Sequence, residues 1–101
     1  MNILFLTCAN NKEADKIAKT LLKKHLIVCA KKTPVYSSFL WQGKIDSGKE
    51  VLLIMDSIES KFKQIEKQIK KLHSYDTPVL ISLPISQASS GVATWMKKEL
   101  K

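Results

Sequence analysis

The sequence predicts one α+β domain with the element order β, α, β, β, α, β and an added C-terminal helix. Three observations carry that reading. Short apolar runs of strand length open the chain and recur at Glu50–Met55 and Val79–Leu83. Two helical stripes of similar length separate them, and a long β-rich stretch from Ile27 to Met55 is interrupted only by Pro34 and a turn bounded by glycines.

Residues Asn2–Cys8 (NILFLTC) form a nearly continuous apolar run, as expected of a central strand covered on at least one face. Ala14, Ile17, Ala18, Leu21 and Leu22 then recur at the spacing of one helical stripe, which places helix one at about 11–25. Asn10 and Glu13 stand at its N-cap and N3 positions in the manner of a capping box. The chain turns apolar and β-branched again at Leu26–Ala30, and Val35–Gln42 resumes beyond Pro34, which reads as a long second strand bent at the proline. Gly43 and Gly48 bracket a turn-rich segment, Lys44–Ser47, leading into a third strand at Glu50–Met55.

Asp56 and Ser57 are placed to cap a second helix, in which Ile58, Phe62, Ile65, Ile69 and Leu72 follow an a/d spacing and which ends near His73. Glu59/Lys63 and Glu66/Lys70 offer i,i+4 ion pairs on it. Pro78 opens a fourth strand, Val79–Leu83, that Pro84 closes. Ser90 is placed to cap a short helix with Val92, Trp95, Met96 and Leu100 on its apolar side.

This order is the split βαβ, or ferredoxin-like, pattern: two helices cover one face of an antiparallel sheet of strand order 4-1-3-2. In that topology the ends of strand one and helix two meet the start of strand four at one edge. Cys8, Asn10, His73 and Tyr75 are therefore expected together, with Cys29 at the opposite end.

At 101 residues, with 45% hydrophobic residues and no Pro/Gly/Ser-rich linker, the chain fits one core spanning 1–101. The two cysteines, 21 positions apart with no C-x-x-C pair, read as reduced thiols. The apolar start carries no preceding Lys or Arg, and no run approaches the roughly 20 apolar residues of a membrane helix, so the expected compartment is the cytoplasm. The net charge of +8 invites a nucleic-acid reading, which predicts affinity that collapses with salt. All 17 basic residues are lysine, however, and arginine is the residue suited to bidentate contacts with phosphate and guanine. Nucleic acid is not the expected partner. Ten of the lysines fall on helices one and two and read as a solvated face, while Lys31, Lys32 and Lys44 lie apart as candidates for gathering an anion.

Several local patterns converge on one family. They are N-x-x-E-A-x-x-I-A at Asn10–Ala18, a strand carrying Cys29 followed by Pro34, SSFLWQGKI at Ser37–Ile45, and EVLLI at Glu50–Ile54. HSYDTP at His73–Pro78, LPI at Leu83–Ile85, and Trp95 eleven residues after Pro84 complete the series. In order and register over nearly the whole chain, the set resembles the CutA divalent-cation-tolerance proteins. The resemblance implies a homotrimer in which the long strands two and three pair with neighbouring subunits, association with copper and other divalent cations, and no catalytic reaction. Three positions and one length depart from the family pattern. Val79 stands where members commonly carry Glu, Asp56 where a lysine is usual, and Phe39 where Tyr precedes the tryptophan, and the stretch between Pro34 and Ser37 is one residue short.

His73 matches the family's H-x-Y motif and Cys8 is its reachable soft partner, so these two are the candidate ligands for a weakly bound copper or other divalent cation. The alternative for His73 is a helix-terminal residue whose cationic form suits the dipole, which is also the reading for His25. Cys29 reads as a small strand hydrophobe. Phe39, Trp41, Tyr75 and Trp95 are candidates for a ligand cleft or a subunit interface. No G-x-S-x-G, P-loop, paired carboxylates or H-E-x-x-H occurs, so a non-enzyme is expected. The runner-up reading is a trimer like the nitrogen-regulatory PII proteins, sensing a small anionic ligand or a partner protein; it rests on likeness of fold.

Overall fold

A computed structural model describes residues 1–101. The chain runs β1 (Asn2–Cys8), α1 (Asn11–Lys23), β2 (Cys29–Trp41), β3 (Lys44–Ser57), a 3₁₀ turn (Glu59–Lys61), α2 (Phe62–Leu72), β4 (Leu80–Pro84) and α3 (Val92–Glu99). The four strands form one antiparallel sheet of order β2-β3-β1-β4, the order expected from the sequence. In β1, alternate residues face the helices, so Leu4, Leu6 and Cys8 are buried, and Val51, Leu53 and Met55 of β3 lie beside them. Ala14, Ile17 and Leu21 of α1 and Ile65 and Ile69 of α2 close this core from above. At about 25 cal/mol per Å² of apolar surface, such side chains supply most of the driving force.

The other sheet face is also apolar. Ile3 and Phe5 of β1 and Leu52 and Ile54 of β3 are half-buried there, beside the exposed Ile81 and Leu83 of β4, with Phe5 paired to Ile54 and to Ile81.

The hairpin extends further than expected. β2 continues unbroken through Pro34, which pairs with Val51, because β2 is an edge strand where a missing N–H is tolerated. The turn is not Lys44–Ser47 but the two residues Gln42 and Gly43, at φ 51° and φ 78°, whose paired positive φ matches the twist of a tight hairpin. β3 therefore begins at Lys44, and β2 and β3 run on beyond the end of β1 as a two-stranded arm along the 45 Å long axis.

Four further expectations are corrected. Leu26 and Ile27 precede β2 and are buried where the chain turns, while His25 takes φ 56° in a Schellman-type cap: His25 N–H donates to Leu22 O and Leu26 N–H to Leu21 O. Asp56 and Ser57 belong to β3 rather than capping α2; Ser57 is fully buried and its hydroxyl donates to Leu26 O at 2.5 Å. Gly91 at φ 91°, not Ser90, precedes α3, because the chain needs a left-handed residue there. Glu59/Lys63 and Glu66/Lys70 do not close as ion pairs; the lysine pairs that form are Lys31–Asp56 at 3.6 Å and Lys32–Asp15 at 2.7 Å.

Candidate metal centre

Three elements meet at the edge where β1 ends. Asn10, in extended conformation, accepts the Glu13 N–H at 2.9 Å and so starts α1 at Asn11. The Glu13 carboxylate closes the box one residue early, taking the Ala9 N–H at 2.7 Å, and its other oxygen takes the Ser74 N–H at 2.6 Å. One side chain thereby ties the β1–α1 turn to the end of α2. His73 follows Leu72 in extended conformation, which ends α2 and sends the imidazole back onto β1.

The His73 ring is fully buried. Its Nε2 lies 2.8 Å from Thr7 O and its Nδ1 accepts the Tyr75 N–H at 3.1 Å, which together assign the neutral Nε2–H tautomer. Glu13 Oε2 is 3.8 Å from Nε2. Tyr75 leans over the ring at 4.7 Å between centroids, and its hydroxyl donates to Glu50 of β3 at 2.6 Å. Cys8 Sγ, a Glu13 oxygen and a His73 nitrogen all lie within 4.8 Å of one another.

The electrostatics follow from burial and two carboxylates. Burial, with Glu13 and Glu50 nearby, pushes the Cys8 thiol up to about 12, so it stays protonated at neutral pH. Burial also acts to raise the Glu13 carboxyl, but the Ala9 and Ser74 donors and His73 outweigh it and hold the group below its ordinary value. Burial and the bond to Glu50 raise Tyr75.

Of the residues singled out in the sequence, Cys8, Asn10, His73 and Tyr75 gather here, and Cys29 lies at the far end, paired with Asp56. Trp41 and Phe39 belong to the arm instead, and Trp95 sits on α3 beside Leu22 and His25, at the other end of α1. Val79 is exposed. Glu13 and Glu50 were not among the expected site residues. Glu13 carried a signal, its N3 position, but capping alone accounted for it; Glu50 carried none beyond opening an apolar run.

Thiol, imidazole and carboxylate form a mixed soft and borderline donor set that suits copper or zinc better than magnesium or calcium. Donors bound to one such ion at roughly 2.0–2.3 Å sit closer together than 4.8 Å, so small side-chain rotations bring the three residues into range. The residues therefore fit a small divalent cation.

Known proteins share the fold and much of the sequence. Residues 2–99 match the family model described as CutA1 divalent ion tolerance protein. The divalent-cation tolerance protein CutA of Archaeoglobus fulgidus is 32% identical over 99% of this chain and 98% of its own length, and that of Pyrococcus horikoshii 34% identical over 100% and 99%. A solved structure of the Archaeoglobus protein, described as periplasmic, superposes with a TM-score of 0.96 over 99% of this chain and 98% of that one. The Thermus thermophilus protein also gives 0.96, at 26% identity and full coverage of both chains. With the family model matching residues 2–99 and relatives 32% and 34% identical over nearly the whole chain, this chain belongs to the CutA1 divalent ion tolerance family.

Proposed function

We propose that this chain is a cytoplasmic homotrimer that binds a divalent cation, Cu(II) foremost, weakly at Cys8, Glu13 and His73, as its part in metal tolerance. The observation that carries the reading is the convergence of a thiol, an imidazole and a carboxylate from β1, α2 and α1 within 4.8 Å. Copper heads the order of affinity for such donors among divalent first-row ions. Weakness follows from what binding must undo. Cys8 gives up a proton held to about 12, and for Nε2 of His73 to ligate, its proton must pass to Nδ1, so that the bond to Thr7 O and the one accepted from the Tyr75 N–H are both lost. The centre performs no catalytic reaction in this reading: a buried, protonated thiol is a poor nucleophile.

Calorimetric Cu(II) titration of wild type, Cys8→Ser, Glu13→Gln and His73→Ala tests the centre. Each substitution is expected to lower affinity about tenfold or more, and wild type to release protons to buffer. Identical isotherms for wild type and His73→Ala overturn the assignment. The trimer is supported by the apolar sheet face and the arm, because a two-stranded ribbon without a third strand or a covering layer is marginal in water. We read the βαββαβ order as ferredoxin-like. Two unpaired thiols at opposite ends of the sheet suit a reducing compartment.

A further inference from the structure

Lysine is distributed on the helices with a period. In α1, Lys12, Lys16, Lys19 and Lys23 recur at i, i+4, i+7 and i+11, and in α2, Lys63, Lys67 and Lys70 recur at i, i+4 and i+7. On a helix turning 100° per residue, both sets fall on the ridge opposite the buried stripes of Ala14, Ile17 and Leu21 and of Ile65 and Ile69. All seven are exposed, and none joins an ion pair. α1 and α2 pack side by side, so the ridges form one cationic plate, about 16 Å long on α1 and about 10 Å on α2. Between the end of α1 and the middle of α2, Lys24, Leu26, Gln64, Lys67 and Gln68 line a mostly polar groove of about 320 Å³, which Lys67 of the α2 ridge borders.

A merely solvated face does not call for this pattern. Exposed helices ordinarily mix both signs, and like charges three and four residues apart weaken a helix. Here Asp15 is engaged by Lys32 and Glu13 by Ala9 and Ser74, which leaves the half-buried Glu66 as the remaining acid of α1 and α2.

The chemistry of the plate selects its ligand. With no arginine in the chain it lacks the forks that read guanine or clasp phosphate bidentately. It also lacks stacking surfaces for bases: Phe62 packs against the core, and Tyr36, Phe39, Trp41, Tyr75 and Trp95 lie off the plate. Nor do the ridges carry the Trp, Phe or Leu that anchors a helix in a membrane interface. What remains is recognition of phosphate charge density by point charges. We propose that the α1–α2 face is a docking surface for a linear inorganic polyphosphate chain.

Anisotropy of an end-labelled polyphosphate titrated with the purified protein over a range of salt tests this. With seven lysines engaged, log K is expected to fall against log salt with a slope of about −5. Lys16→Gln/Lys19→Gln/Lys67→Gln is expected to weaken binding about tenfold or more and to reduce the slope by about 2. Lys97→Gln/Lys98→Gln/Lys101→Gln removes the same charge off the plate and is expected to leave binding within about twofold. Gln is a good helix former, and unchanged circular dichroism verifies that each triple variant folds. Equal losses from both triples, binding insensitive to salt, or displacement of polyphosphate by charge-matched single-stranded DNA or anionic vesicles at lower concentration overturns the proposal.

Discussion

Cys8 and His73 are held in the site by different means. Burial beside two carboxylates keeps the thiol protonated, and a pair of hydrogen bonds, to Thr7 O and from Tyr75 N–H, fixes the orientation of the imidazole. A thiol raised from 9.0 in the open chain to about 12 in the fold binds its proton more tightly when folded. Its contribution is therefore fully present below the unfolded value and is lost as pH rises from 9.0 through about 12. Urea unfolding of wild type and Cys8→Ser at several values between about pH 8 and about pH 10.5 should show the stability difference narrowing upward. A constant difference would remove Cys8 from the alkaline response. Motif and topology together made Cys8 and His73 legible as neighbours. Glu13 stayed hidden because its partner Ser74 is 61 residues away, and a cap explains the residue locally.

At the scale of elements, long apolar periodicity was the most readable feature and element ends the least. Both stripes and all four strands follow from the pattern, whereas Asp56 and Ser57 carry the side chains of a helix cap and serve a strand instead. What decided it is tertiary: Ser57 ties the end of β3 to Leu26, just before β2 begins, and no local signal records that bond. Ser57→Ala removes the donor from a buried carbonyl and is expected to destabilise the fold by about 1–3 kcal/mol. Thermal melts check this; an unchanged Tm would mean that Leu26 O finds another partner. The arm shows the reverse case. Turn residues at Gly43 and Gly48 were visible, but which of them made the hairpin depended on how far β2 could continue through Pro34. The edge position of β2 allows that continuation, but nothing local in the sequence records how far the pairing runs past the proline.

Assembly is where the chain as a whole enters. Ile45, on the arm, is 82% exposed, and Leu40 and Tyr36 are nearly as open. Such a ribbon needs a covering layer, which the trimer reading supplies with neighbouring copies. Light scattering at micromolar concentration is expected to give three times the chain mass of 11.4 kDa. Ile45→Asp is expected to lower that mass while retaining the helical content, because Ile45 contributes nothing to the core of its own chain. A monomeric wild type would overturn the trimer. The order of synthesis adds a last consequence of the strand order β2-β3-β1-β4. β1 leaves the ribosome before β3 and β4 yet lies between them, and its Asn2 pairs with Pro84. Its β4-side hydrogen-bonding edge stays open until β4, roughly 70 residues further along, has been translated, a wait of several seconds at about 5–20 residues per second. Until then β1 has one edge without its native partner, and an unpaired edge of this kind is open to pairing with other chains.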